Sequence, residues 1–399
     1  MKTTTDMHIH SIVSMDGNET PEDIIKAAGE RDLSYISITD HDSIDAYEKI
    51  IEEKGLPKDT IFVPYDNGVT LVSGTEVTCN MDVGLGKKIK FHVLVYGYDL
   101  GNQEFVDYIR RKSFDDRSVD WGIFEYLHKA NPRLFTISRK EIQHLTEELK
   151  RKNRGFNRFR SEDVIRYFAI KNKVHESVIA KYANEYIQKQ RLDLDIVELI
   201  NISHKAGAVC LLAHPRNSMS KFLQKNRDHR LISSINSESF YLNVIQRLLD
   251  IGLDGVDVSK HKNKVDNQII DMVAGKYLTT VGSDFHGFHS HMLGKRCVFH
   301  DKQTGQDFFE ELDDSKSNII NALKVIERYR AQGQLAPVQL KAQQRIVTQD
   351  TKMFGVKDGE LVQNELDGKS YHVRINGDVK AEDRAETNTS KPKEEERTM

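Results

Sequence analysis

Several things are missing from this 399-residue chain, and each absence narrows the possibilities. No apolar run approaches the ~20 residues that a membrane-spanning helix needs. Three cysteines, Cys79, Cys210 and Cys297, are too few and too scattered for a disulfide framework. Cys79 and Cys210 lie in apolar runs and read as small buried hydrophobes. Excess charge of one sign is absent too: 58 Lys+Arg against 61 Asp+Glu gives −3. That balance argues against a globally basic, non-specific nucleic-acid binder. Met1–His10 lacks a basic-then-apolar signal pattern. A reduced, cytoplasmic protein with no membrane partner is the expectation.

What the sequence does have is a series of short β-rich runs. They are Asp6–His10, Tyr35–Asp40, Thr70–Cys79, Phe91–Tyr98, Ala208–His214, Gly255–Ser259 and Leu278–His286. Several are nearly continuous apolar stretches, as in parallel strands buried on both faces. Helical patterns fit between them. Thr20 is placed to cap a helix that has Pro21 at its first position, and Leu192–Ala206 and Phe240–Ile251 are amphipathic. The alternation predicts an α/β fold, a distorted (βα)7 barrel over 1–101 and 191–300. A charged, helical stretch at 102–190 reads as an inserted cap. After it come a C-terminal extension, 301–378, with a helix near Ser315–Gln332 and a hairpin-like stretch at Lys357–Gly377, and a disordered tail, 379–399.

Ligand-type residues recur at these strand ends. His8 and His10 are two apart, so on a strand they share a face. His41 follows Asp40 in the run Thr39-Asp40-His41-Asp42. Glu76, His92 and His214 belong to the third, fourth and fifth runs, and Asp284 and His286 repeat the two-apart spacing on the last. Asp16 adds a carboxylate after the first strand. Taken singly, each motif has a mundane reading as a turn, a helix cap or a satisfied core histidine. Together they would meet at one mouth, because α/β barrels build their sites at the C-terminal ends of strands. A thiol-free set of imidazoles and carboxylates suits Zn²⁺, Mn²⁺ or Fe²⁺.

The runs His8-Ile9-His10, Asp16-Gly17, Thr39-Asp40-His41-Asp42, Gly74-Thr75-Glu76, Ala213-His214-Pro215 and Ser283-Asp284-Phe285-His286-Gly287, with His92, resemble the PHP (polymerase and histidinol phosphatase) family. The resemblance covers about Met1–Lys295. It implies two or three divalent ions, Mn²⁺, Zn²⁺ or Fe²⁺ ahead of Mg²⁺. His8, His10, Glu76 and Asp284 would hold one ion. Glu76 would bridge to a second with His92 and His214, and Asp16, His41 and His286 would hold a third. Asp16 stands where some relatives have His, a harder ligand that favours Mn²⁺ or Mg²⁺ character.

The insert resembles the helical domain of the family's nucleotide-acting branch. The expected activity is therefore hydrolysis of phosphate esters of nucleotides or short oligonucleotides by a metal-activated hydroxide. Arg117 and Arg216 would clamp phosphate, while Asp40 and Asp42 would orient histidines. The basic stretch Lys150–Arg160, with Phe156 and Phe159, reads either as a nucleic-acid cradle or as a solvated helix end. His289 and His291 follow Gly287 in the loop after the last run, a position from which they could reach the mouth. Two other readings are a small-metabolite phosphatase of histidinol-phosphate type and a non-catalytic, metal-stabilised binding module. The complete ligand set argues against the last.

Overall fold

The computed structural model describes residues 4–14, 16–84, 86–112, 118–119, 122–152, 159–190, 194–229, 232, 236–259, 264–288, 292–301, 306–344, 354–357, 360–363, 371–373 and 379–381. Arg117, His261, His289 and His291 lie outside them, as do the side chains of Lys150–Arg160.

Two sheets form a mixed α/β architecture. The first orders its strands β1 (Thr5–Ile9), β2 (Tyr35–Ile38), β4 (Thr70–Val72) and β3 (Phe62–Pro64). The second runs β11 (Leu278–Thr280), β10 (Gly255–Asp257), β9 (Val209–Leu212), β6 (Lys87–Tyr96) and β5 (Gly74–Gly84), while β7 (Ser118–Val119) and β8 (Phe159–Arg160) pair apart from both. Isolated parallel bridges join the sheets at two seams, Ile9 with Phe285 and His41 with Glu76. Backbone bonds stitch each seam. Asp284 donates to the His8 carbonyl at 2.9 Å and His10 to Phe285 at 2.7 Å, while Asp42 donates to Glu76 at 2.8 Å.

Direction is where the structure departs from seven repeated strand–helix units. The expected single strand over Thr70–Cys79 breaks at Ser73. β5 then runs on to Gly84 and returns at once as β6, antiparallel both to β5 and to β9. With so short a connection no crossover helix fits, and a tight return forces antiparallel pairing.

Helices cover the sheets. Pro21–Glu30 (α1) is capped as its sequence predicts, the Thr20 hydroxyl accepting from the Asp23 N–H at 3.1 Å. Asp45–Lys54 (α2), Gln103–Lys112 (α3), Ile196–Lys205 (α8), Pro215–Lys225 (α9), Ser237–Asp250 (α10) and Lys264–Val273 (α11) complete the layer. Phe105, Val106, Tyr108 and Ile109 of α3 join the main core, although α3 falls inside the stretch 102–190. Gly122–Ala130 (α4), Arg139–Lys152 (α5), Ser161–Asn172 (α6) and Glu176–Gln190 (α7) surround an apolar cluster of their own, centred on Phe135, Phe168 and Ile179.

The C-terminal extension seals the interior at the end away from the histidines. Along one face of β6 come His92, Leu94 and Tyr96. Leu94 and Tyr96 pack with Ile319, Leu323 and Ile326 of the next helix, Ile319–Ala331 (α12). Arg330 fastens it, donating to the carbonyls of Asp59 (2.8 Å), Gly97 (2.5 Å) and Ala206 (3.1 Å). Arg330→Ala should therefore lower stability by about 2–4 kcal/mol, measured by denaturant unfolding, with bound metal unchanged. Val379–Ala381, at the start of the expected tail, pair with Tyr371–Val373. Among the described residues, no helix is long and apolar enough to cross a membrane.

Candidate metal centre

Local backbone devices at the seams aim the side chains. The β1–β2 register shifts between Asp6 and Ile9, a bulge. A bulge inserts one residue and re-aims those that follow. Met7 can thus enter the apolar cluster with Leu94 and Tyr96, while His8 and His10 turn to Glu76. Three non-glycine residues here have positive φ: Asp42 (49°), His214 (29°) and Asp284 (58°). Such conformations cost on the order of 1–3 kcal/mol each and persist where the surroundings over-determine them.

Glu76 is the hub. Its side chain is 0% exposed, and a lone buried carboxylate would be costly. Five imidazoles surround it. Oε2 lies 3.3 Å from His8 Nε2, 3.3 Å from His10 Nε2 and 3.1 Å from His41 Nδ1. Oε1 lies 3.2 Å from His92 Nδ1 and 3.0 Å from His214 Nε2. Asp284 Oδ1 stands 3.4 Å from both His8 Nε2 and His10 Nε2. On the other flank, Asp16 Oδ2 is 3.3 Å from His41 Nε2 and 3.5 Å from His286 Nε2.

All nine expected ligands therefore meet at one place. They form four overlapping groups able to hold a metal ion: His10/Asp16/His41/His286, His8/Glu76/His214, His8/His10/Asp284 and His41/Glu76/His92. Electrostatics keeps the buried carboxylates ionised. Burial alone would raise the Glu76 carboxyl, but positive charge on His8, His41 and His92 outweighs it and holds the group well below the usual carboxylate range. Asp284 is held low in the same way, burial being overcome by His8 and His10. Burial pulls the His92 imidazole down, whereas at His10, His41 and His214 the neighbouring carboxylates outweigh burial and raise the imidazole, so protons and metal compete for those rings.

Two features bear on whether ions belong here. His8 Nε2 and His10 Nε2 face each other at 3.1 Å, and two ring lone pairs at that distance repel unless a proton or cation lies between them. Glu76 Oε2 is buried and aimed at three ring nitrogens at once. A divalent ion answers both.

The other expected site residues are placed differently. Asp40 accepts from the Ser11 N–H and hydroxyl, both at 2.7 Å. Asp42 accepts from the Thr78 N–H at 2.7 Å. They brace the backbone on either side of His41. Arg216 forms a two-point ion pair with buried Asp266 of α11, Nε to Oδ1 at 2.5 Å and Nη2 to Oδ2 at 3.0 Å. The pair lines a small cleft together with His214, Pro215, Asp257 and Ile269.

Sequence reasoning missed Asp6 and Asp257. Asp6 gathers the Ser283 N–H (2.9 Å), the Ser283 hydroxyl (2.7 Å) and the Gly294 N–H (2.7 Å), which fixes the segment entering Asp284. Asp257 ends β10 and accepts from the His214 N–H at 3.4 Å and the Ser259 N–H at 2.8 Å. The available signal was a carboxylate inside an otherwise apolar, buried run. A separate buried trio joins α8 to β9 and β10. Asp254 Oδ2 lies 2.7 Å from His204 Nε2 and accepts the Cys210 N–H at 2.9 Å.

The PHP domain model matches residues 6–247, more than half of the 399, and the chain belongs to the PHP domain family. That membership implies divalent metal ions, for which the four groups supply the candidate ligands. Asp284 and His286, expected from their spacing, lie beyond the matched segment, and the fold brings them beside His8, His10 and Asp16.

Among solved structures, the chain is similar to a candidate metal-dependent phosphoesterase from Bifidobacterium adolescentis. That likeness has 21% identity and a TM-score of 0.42, over 75% of this chain and 93% of that one. It is also similar to an amidohydrolase from Chromobacterium violaceum with bound sulfate and no metal, at 15% identity and a TM-score of 0.44, over 81% and 96%. No curated protein matches.

Proposed function

We propose that this protein is a metal-dependent phosphoesterase that hydrolyses phosphate esters of nucleotides or short oligonucleotides. The supporting observation is the convergence of six imidazoles and three carboxylates around buried Glu76. His8, His10 and Asp284 would hold one ion; Glu76, with its two oxygens turned to different imidazoles, would join that position to one held by His92 and His214. Asp16, His41 and His286 would hold a third. Divalent ions so placed supply Lewis acidity and lower the pKa of a water beside the ester.

The chain's own groups do the rest. Asp6, Asp40 and Asp42 fix the three ligand-bearing loops through backbone N–H groups. Arg216, anchored by Asp266 in the cleft it lines with His214, would offer its remaining guanidinium nitrogen as an anion donor. The stretch 102–190, with its own apolar cluster in α4–α7, would cap the substrate.

A phosphate-release panel tests this reading. Nucleoside 3′,5′-bisphosphates, short RNA, short DNA and histidinol phosphate are offered to the metal-loaded protein with and without chelator. The expected outcome is chelator-sensitive release, fastest from the nucleotide substrates. Preference for histidinol phosphate would move the substrate to small metabolites. Silence on all four would refute the phosphoesterase reading.

A further inference from the structure

The chain leaves β1 through a single 3₁₀ turn, Ile12–Ser14, and folds straight back on itself. Ile12 donates to the Glu19 carbonyl at 2.8 Å. A Cβ on Gly17 would stand 2.1 Å from the Ser11 carbonyl oxygen, an approach that only glycine allows. The turn is also held from beyond β2, where Asp40 takes the Ser11 N–H and hydroxyl, and the Ser14 N–H donates to the Ser11 carbonyl at 3.2 Å. Ser14, only 4% exposed, is thereby fixed between two candidate ligands, His10 and Asp16.

Its hydroxyl meets both. Oγ lies 2.7 Å from Asp16 Oδ1 and 3.4 Å from His10 Nδ1. A hydroxyl has one proton to give and lone pairs with which to accept. The proton goes to the charged oxygen at 2.7 Å ahead of the Ser11 carbonyl at 3.2 Å. Toward His10 the oxygen is then an acceptor, which suits a ring with its proton on Nδ1. That leaves Nε2, the atom 3.3 Å from Glu76 Oε2 and 3.4 Å from Asp284 Oδ1, as the ligating nitrogen. With Oδ1 engaged by Ser14, Asp16 turns Oδ2 to His41 Nε2 and His286 Nε2.

We propose that Ser14 is a positioning residue of the metal centre, its one hydroxyl orienting the Asp16 carboxylate and the His10 ring together. The inference rests on the reading of this cluster as a metal centre and adds a side chain that touches neither ion nor substrate. Partners of this kind set the tautomer and aim of a ligand, and their loss costs about 10–100-fold in metal affinity.

The test strips the full-length protein of metal and titrates it with Mn²⁺ alone, counting bound ions at equilibrium. Wild type, Ser14→Ala, Asp16→Asn and the double variant are compared. Ser14→Ala is expected to weaken Mn²⁺ binding by about 10–100-fold. The double variant should bind about as Asp16→Asn does, because the hydroxyl acts chiefly through the carboxylate. Phosphate release by Ser14→Ala should fall at limiting Mn²⁺ and return to the wild-type kcat at saturating Mn²⁺, as expected of a residue that positions ligands. Ser14→Cys, which keeps the size with a weaker hydrogen bond, should fall between wild type and Ser14→Ala and carries the comparison if Ser14→Ala does not fold.

Wild-type Mn²⁺ affinity in Ser14→Ala and Ser14→Cys would overturn the proposal. So would losses that multiply in the double variant, or turnover that saturating Mn²⁺ does not restore. A wild type that binds no Mn²⁺ would remove the metal centre and this inference with it. A wild type that binds Mn²⁺ and releases no phosphate would remove only the phosphoesterase reading, and the binding comparison would still decide the role of Ser14.

Discussion

Glu76→Gln is expected to reduce phosphate release by about 10²–10⁴-fold and to strip divalent metal from the protein. The substitution keeps size and removes charge. Five imidazoles lie within 3.3 Å of the two Glu76 oxygens, and the carboxylate is fully buried, so no solvent can take its place. Removing one partner from a buried charged set costs about 3–5 kcal/mol. At about 1.4 kcal/mol per factor of ten, that is the range given. An amide also turns an N–H toward ring nitrogens that need lone pairs for metal. Elemental analysis and turnover on the same samples check the result. Glu76→Asp, which keeps the charge and shortens the reach by one carbon, should retain more metal than Glu76→Gln. Full metal and full turnover in Glu76→Gln would mean that this carboxylate bridges nothing.

Gly282→Ala should be nearly as damaging, although residue 282 has no functional group. An added Cβ would stand 2.2 Å from His8 Cβ and 2.5 Å from His8 N. Neither neighbour is a flexible chain end. The seam between β1 and the segment after β11 would have to open, and His8 and Asp284 lie on its two sides. Overpacking of this kind costs about 1–3 kcal/mol, and displacing a reacting group by ~1 Å can cost about 10²-fold in rate. Gly55→Ala is the control. Gly55 has φ 61° and, among the described residues, nothing within 4 Å. It should lose about 1–2 kcal/mol of stability to the left-handed backbone and no activity. If Gly282→Ala behaves like Gly55→Ala, the seam does not position His8.

The candidate centre was more legible in the sequence than the chain direction around it. His8-Ile9-His10 and Asp284-Phe285-His286 announce shared strand faces because alternation is a local rule. Strand ends concentrate such residues because parallel strands open onto a common mouth. His92 fitted that scheme only loosely, as the residue that begins a strand. It sits instead in the middle of β6, and the antiparallel return from Gly84 brings it to the mouth from the opposite direction. The alternation Lys88-Ile89-Lys90-Phe91-His92 carried that strand's earlier half, but its pairing partner depends on the turn.

Long-range partners left even less trace. Nothing local ties Arg216 to Asp266, fifty residues on, so a residue expected to be an open phosphate clamp is already half engaged. The role of α12 was hidden for a related reason. Its amphipathic pattern shows that one face is buried and does not show that the face closes the interior beneath Tyr96.

The central claim is that nine side chains from position 8 to position 286 share divalent cations. Elemental analysis of the purified full-length chain, before and after chelation and with phosphate release followed in parallel, tests it most directly. The account predicts at least two divalent ions per chain, activity lost with their removal and regained when Mn²⁺ is returned. A protein that holds no stoichiometric metal, or that releases phosphate undiminished after its metal is gone, would contradict it.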